Sequence, residues 1–299
     1  ARTDLVGGFG PPDQVRAEDC CNSGCNPCIF DIYEQQLKLY KSGKKFSEEK
    51  GENGIFKLKY QTFVVVSTQP LCASQKILNF KRLDVNNAKV WWRPGDHFLY
   101  KYVSDSLSCT RAYTPIKLSA DKSKNFDFSI VVKCYDSGLV SKHLFSLKDE
   151  DLTLWRGPYG SYAIQPNSFN RMIMIAQGTG IVPFFTIIES ILNNEEDMTK
   201  IILFYCCRSI DEVLFRDELR SYKSYWNFSY EVFLTNITDD MDIRYQEPIN
   251  KQRLTYEIFY QHKPFLNDQF LICGSSEFMK FYKNTLHDIL DLKENIILF

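Results

Sequence analysis

The chain is predicted to fold as two successive units of different class, an antiparallel barrel or sandwich over about 54–162 and then, from Arg171 onward, a parallel sheet with helical crossovers. Three observations predict this. Between 54 and 162, strand-forming stretches at 56–67, 98–102, 111–118, 126–135 and 152–156 follow one another at short intervals, separated by Asn, Asp, Gly, Pro and Ser. That is the pattern of antiparallel all-β units. After Arg171 come short apolar runs at 172–176, 201–206, 230–234, 270–273 and 296–299, most of them separated by ten or more helical-looking residues. Strands buried on both faces of a parallel sheet read this way. Finally, 299 residues leave room for about two domains of ordinary size.

Composition narrows the function classes. Apolar residues at 44% and charged residues at 24% match a soluble globular chain, which excludes wholesale disorder and fibrous repeats. Lys plus Arg (36) balance Asp plus Glu (37), so the chain lacks the basic footprint of an electrostatic nucleic-acid binder. No apolar run approaches the ~20 residues of a membrane-spanning helix. Residues 1–19 are polar and Gly/Pro-rich, with no apolar leader segment and no initiator Met, and read as a trimmed or partial start. Six of the ten cysteines, Cys72, Cys109, Cys134, Cys206, Cys207 and Cys273, are scattered through apolar segments. This usage predicts buried thiols in a reducing, intracellular compartment, cytoplasmic, mitochondrial or peripheral to an organelle membrane.

The elements justify a division into 1–50, 51–165 and 166–299. In the first part Ile29, Tyr33, Leu37 and Tyr40 recur at helical spacing, so a short amphipathic helix is expected over 29–40. The charged stretch 41–52, with Gly43 and Gly51, reads as a linker. In the second part Arg111 and Tyr113 share one face of a strand and can offer a donor fork and a ring to a dinucleotide. Gly138-Leu139-Val140-Ser141 opens a helix, where backbone N–H groups and a hydroxyl can accept a phosphate, and Lys133 adds a cation. In the third part the strand at 172–176 runs into Gln177-Gly178-Thr179-Gly180 and a helix started by Pro183. This is not the GxGxxG fingerprint, since no third glycine follows. The strand at 270–272 ends in Cys273-Gly274, so both loops are expected at the carboxyl ends of parallel strands, where ligands gather. Taken singly, each feature also reads as a surface arginine or a tight turn; the ordered set points to a bound dinucleotide.

In this order and spacing the residues closely resemble the ferredoxin-reductase-like flavoproteins, in particular the NADH-cytochrome b5 reductases and their branch of b5 reductase-like proteins. The matching motifs are Pro94-Gly95-Asp96-His97-Phe98, Arg111-Ala112-Tyr113-Thr114-Pro115, Gly138 to Ser141, Arg156-Gly157-Pro158-Tyr159-Gly160, Gly178 to Pro183, Phe215-Arg216-Asp217-Glu218-Leu219, Cys273-Gly274 with Met279, and the terminal Phe299. The resemblance implies a Greek-key barrel for FAD followed by an α/β domain for NADH. It implies that Arg111 binds the FAD pyrophosphate, that Tyr113, Thr114 and Pro115 contact the ribityl chain and flavin ring, and that Gly138, Leu139, Val140 and Ser141 hold the phosphates. Gly178, Thr179 and Gly180, with Cys273, Gly274 and Met279, would place the nicotinamide against the flavin, Thr179 contacting the FAD as well, leaving Thr114 and Cys273 nearest the reacting atoms. Two positions depart from the family pattern: Ala112 stands where Pro is common, and Leu139 where Lys is common, which removes a cation from the phosphate loop. The stretch Thr235-Asn236-Ile237-Thr238-Asp239-Asp240 is acidic where NADPH users of this superfamily carry basic groups, so NADH is expected over NADPH.

The cluster Cys20-Cys21-Asn22-Ser23-Gly24-Cys25-Asn26-Pro27-Cys28 resembles the oxidoreductase-like cysteine domain, with Asp31-Ile32-Tyr33 continuing the match. Four thiols this close can ligate zinc or an iron-sulfur cluster, form a disulfide switch, or stay free. The expected function is electron transfer from NADH through FAD to a one-electron acceptor, a haem protein of the cytochrome b5 class. The same residues also allow a protein of another class, an assembly or binding factor that keeps the fold without turnover, motivated by the missing lysine of the phosphate loop.

Overall fold

The computed structural model describes residues 14–15, 17, 28–42, 53–83, 88–104, 108–118, 124–238, 241–265, 267–290 and 295–299. Cys20, Cys21, Cys25, Asp239, Asp240 and most of the expected linker lie outside them. Helix α1, Ile29–Lys41, opens with the Asp31 carboxylate accepting the Cys28 amide at 3.0 Å. Its buried face is carried by Ile29 and Ile32 rather than by the whole predicted stripe, since Tyr40 is exposed. Ile32 packs with Leu99 and Tyr159, which fixes the helix to the outside of the barrel.

The first sheet contains β1 (Gln61–Cys72), β2 (Gln75–Arg82), β3 (His97–Val103), β4 (Ser108–Tyr113), β5 (Phe128–Lys133) and β6 (Leu152–Tyr159) in the order β4-β3-β6-β1-β2-β5. All its pairings are antiparallel, and β6 returns to lie between β3 and β1, as in a Greek key. Beyond β4 the chain bends at Pro115, and Ile116 pairs with Ser129 of β5 through two hydrogen bonds of 2.9 and 2.8 Å. That bridge joins the two edges of the sheet and curls it into a barrel. Phe63, Phe80, Phe98, Phe128 and Trp155 fill its interior with mostly edge-to-face ring contacts 5.0–5.4 Å apart. Helix α2, Leu139–Ser146, adds Val140 and Leu144 to this core.

The second sheet contains β7 (Arg171–Gln177), β8 (Lys200–Cys207), β9 (Phe228–Leu234), β10 (Ile249–Asn250), β11 (Gln269–Cys273) and β12 (Ile296–Leu298) in the order β10-β9-β8-β7-β11-β12, all parallel. Along β7, Met172, Met174 and Ala176 join one core while Ile173 and Ile175 join the other, so both faces are buried. Helix α3 (Ile181–Leu192) packs in the first core, as does Leu219 of α4 (Arg216–Tyr222). Helices α5 (Tyr256–Gln261) and α6 (Ser276–Leu290) contribute Phe259, Met279, Tyr282 and Leu286 to the second. No helix among the described residues is long and apolar enough to cross a membrane.

Candidate functional site

From β7 the chain winds outward through β8, β9 and β10, then returns to the other side of β7 with β11. The loops after β7 and β11 therefore leave adjacent strands in opposite directions, which opens a crevice at their carboxyl ends. These loops are the predicted Gly178-Thr179-Gly180 turn and Cys273-Gly274. A Cβ added at Gly180 would lie 2.5 Å from the Cys273 carbonyl oxygen and 3.1 Å from the Gly274 nitrogen, so the two backbones touch only because Gly180 has no side chain. Gly178 differs: its φ is +54°, and the place of its Cβ is open space. Gln177 ties the loops from the side by accepting the Ser275 amide at 3.0 Å. Met279 lies buried in α6, in the second core.

Cys273 is half-buried, and its Sγ donates to the Phe299 carbonyl at 3.7 Å. Burial pushes its thiol up to about 12, so it remains protonated at neutral pH. Phe299 sets its ring against Tyr162 and Phe184, and Gly95, at φ +86°, leaves room for that ring. The Gly95 amide donates to Thr186 of α3 at 3.4 Å, which joins the barrel to the parallel sheet.

On the barrel side Arg111 and Tyr113 stand opposite Tyr100 and Phe98 on the neighbouring strand. Arg111 donates through Nη1 to the Thr110 carbonyl at 2.7 Å. Burial raises the Tyr113 phenol above its usual range, with Tyr100 and Tyr135 adding to this and Arg111 opposing it, so Tyr113 stays a neutral donor. Tyr135 leads into the turn expected to hold phosphate. Its amide donates to Ser141 Oγ at 3.3 Å, and that hydroxyl donates to the Gly138 carbonyl at 3.2 Å. Gly138 is the N-cap of α2, leaving first-turn amides without intrahelical partners. Leu139 is 47% exposed there, so this turn presents an apolar side chain at the position where lysine is common in the family.

Lys133 was expected as a cation for phosphate. Its Nζ donates to Glu212 at 2.9 Å, and Arg208 meets the same carboxylate through Nη2 at 2.6 Å. Sequence reasoning missed Glu212 and Gln177. The four-residue spacing of Arg208 and Glu212 was the available signal for the first, and nothing marked the second. The side chain of His97 stacks on Tyr159 at 6.0 Å. Burial lowers its pKa to about 4, so the ring is neutral at pH 7.

A closed antiparallel barrel, followed by a parallel sheet with a glycine turn at its switch point, is the ferredoxin-reductase-like fold. Family models match in the same order: an oxidoreductase-like protein N-terminal model over 10–49, an oxidoreductase FAD-binding domain over 62–164 and an oxidoreductase NAD-binding domain over 174–284. The chain carries an FAD-binding and an NAD-binding oxidoreductase domain and is similar over most of its length to cytochrome b5 reductase-like proteins. It is 28% identical to the human protein called NADH-cytochrome b5 reductase-like, across 90% of this chain and 88% of the relative. It is 33% identical to NADH-cytochrome b5 reductase 1 of Lodderomyces elongisporus, across 58% of this chain and 57% of the relative. In fold it is similar to the cytochrome b5 reductase domain of Ulva prolifera nitrate reductase, with a TM-score of 0.69 at 20% identity, covering 83% of this chain and 100% of that chain. It is also similar to the flavohemoglobin of Malassezia yamatoensis, with a TM-score of 0.69 at 17% identity, covering 90% of this chain and 65% of that chain.

Proposed function

We propose that the chain is a flavoenzyme that takes electrons from NADH on FAD and passes them singly to a haem-protein acceptor of the cytochrome b5 class. The observation that carries this is the contact of the Gly178-Thr179-Gly180 turn with Cys273-Gly274 at the switch point. The donor set fits both cofactors. Arg111 would fork onto the flavin diphosphate, the first amides of α2 with Ser141 would bind its phosphates, and Tyr113, Thr114 and Pro115 would line the ribityl chain and ring. Open space over Gly178 leaves room for a nicotinamide dinucleotide to approach the backbone. When bound, the flavin supplies hydride acceptance and one-electron release, and the protein supplies position. Cys273 stays a thiol, so it would shape the approach of the nicotinamide and form no bond to it. The packed ring of Phe299 would keep water from the same side.

Purified protein should be yellow and bleach when NADH is added; a parent chain that binds flavin without being reduced would instead fit the non-catalytic binding or assembly factor. Cys273→Ser should slow NADH-driven flavin reduction by on the order of tenfold in stopped flow while sparing FAD content. A parental rate in that variant would remove Cys273 from the reaction.

For the amino-terminal module we propose that Cys20, Cys21, Cys25 and Cys28 hold zinc or an iron-sulfur cluster. Among the described residues no group of His, Cys, Asp and Glu is arranged for a metal, and only Cys28 of the four belongs to them. The support is the spacing of the thiols and the anchoring of the following helix on the barrel. Full-length protein prepared under reducing, metal-replete conditions should carry zinc or iron that a Cys25→Ser, Cys28→Ser variant loses without losing FAD. Absence of both metals from the parent would sink the proposal. Cys72, Cys134, Cys206, Cys207 and Cys273 are free thiols, which supports a reducing intracellular compartment, in solution or at a membrane surface.

A further inference from the structure

In a doubly wound sheet, the group that reads the adenosine ribose stands at the end of the strand after the glycine turn: a carboxylate there bonds a 2′-hydroxyl, and an arginine nearby accommodates a 2′-phosphate. Here that strand is β8, and the residue just past its end is Arg208, whose side chain is 67% exposed. The Arg208 carbonyl accepts the Asn236 amide at 2.6 Å, so it also borders the acidic stretch after β9. By charge alone Arg208 would invite a 2′-phosphate.

Glu212 stands against this. It closes the 3-10 turn Ile210–Glu212 and is 7% exposed. One of its oxygens takes Arg208 through Nη2 at 2.6 Å and Nε at 3.2 Å, which is the edge of a guanidinium that would fork onto a phosphate. The other oxygen takes Lys133 of the barrel at 2.9 Å. Burial works to raise the Glu212 pKa, but its hydrogen bonds from Arg208 and Lys133 outweigh this and hold it below the usual carboxylate value, so it is charged at neutral pH. Two further arginines from this part of the domain are also engaged, Arg216 with Glu247 and Arg244 with Asp217.

We propose that Glu212 sets the preference for NADH over NADPH, by occupying the Arg208 edge that a 2′-phosphate needs and by presenting its own charge to that phosphate. This rests on the assignment of the chain as an NADH-using flavoenzyme. A purely structural tie between Lys133 and Arg208 would affect both dinucleotides alike, so the ratio between them is the readout. In the FAD-loaded enzyme at low ionic strength, Glu212→Gln should raise kcat/KM for NADPH relative to NADH by on the order of tenfold or more, chiefly through KM. Adding Arg208→Ala to Glu212→Gln should abolish the gain, and adenosine 2′,5′-bisphosphate should inhibit Glu212→Gln more strongly than the parent. Should Glu212→Gln fail to retain flavin, Glu212→Asp keeps a carboxylate for Lys133 with less reach to Arg208, and its ratio should move in the same direction. An unchanged ratio in a flavin-loaded variant, or a gain that survives Arg208→Ala, overturns the proposal. A parent that uses both dinucleotides equally also overturns it, whereas a parent reduced by neither refutes the underlying enzyme assignment.

Discussion

Replacing Arg111 by Ala should strip the flavin from the protein. Arg111 stands on β4 at the register of Tyr100, in the same strand and on the same face as Tyr113, whose phenol feels its charge. A guanidinium offers a planar fork of donors that matches two phosphate oxygens, and no other side chain does so without loss of geometry. At the neighbouring phosphate loop Leu139 supplies no charge, and Lys133 is engaged by Glu212. Little cationic compensation is therefore left near the diphosphate when Arg111 is removed. Truncating one partner of such a desolvated pair costs about 2–5 kcal/mol. That is a loss of roughly 30-fold to several thousand-fold in FAD affinity. The measurement is the flavin-to-protein absorbance ratio after gel filtration, followed by titration of FAD into the apoprotein, with circular dichroism to show that the fold persists. Arg111→Lys should fall between, since a lone ammonium keeps the charge but not the fork. Full flavin occupancy in Arg111→Ala would refute the assignment.

The parts of the fold that were legible in the sequence share one physical cause. Strands β7, β8 and β11 are buried on both faces and so write themselves as unbroken apolar runs, which the structure extends by no more than one residue at either end. Strand β2 escaped because it breaks that rule: Gln75 and Lys76 are buried at its start, the lysine donating to the Leu147 carbonyl at 3.0 Å. The expected strand over 111–118 stops at Tyr113 because Pro115 follows. At the site, residues whose role follows from their own chemistry were visible, such as Arg111, Ser141 and the glycines. Residues whose role depends on a distant partner were not. Glu212 sits in Ser209-Ile210-Asp211-Glu212, which reads as a solvated turn until the fold brings Lys133 to it from 79 positions earlier. Gln177 reads as the polar end of a strand until Ser275 arrives from 98 positions later.

The same dependence on a distant partner makes Gly180, in the turn after β7, sensitive to any added side chain. Its φ of −62° is open to any residue, so the requirement for glycine there is one of space. A single added methyl would sit 2.5 Å from the Cys273 oxygen and 2.7 Å from its carbonyl carbon, and these are backbone atoms at the end of a fully paired strand that cannot swing away. Gly180→Ala must therefore push the turn after β7 away from the end of β11. Arg111 and the Gly138 to Ser141 turn, the barrel elements proposed to hold the flavin diphosphate, lie outside this contact, so FAD should remain bound. Displacement of about 1 Å between groups that orient a reacting ring costs on the order of 100-fold in rate, and the overpacking should cost about 1–3 kcal/mol in stability. Stopped-flow reduction by NADH should register the loss, while reduction of the same flavin by dithionite should proceed as in the parent. Gly178→Ala is the matched comparison: it meets open space and pays only for its left-handed φ, about 1–2 kcal/mol of strain, so its effect on the hydride step should be smaller. If Gly180→Ala reduces its flavin at the parental rate with an unchanged melting temperature, the two loops do not touch in solution, and the site loses the contact on which its assignment rests.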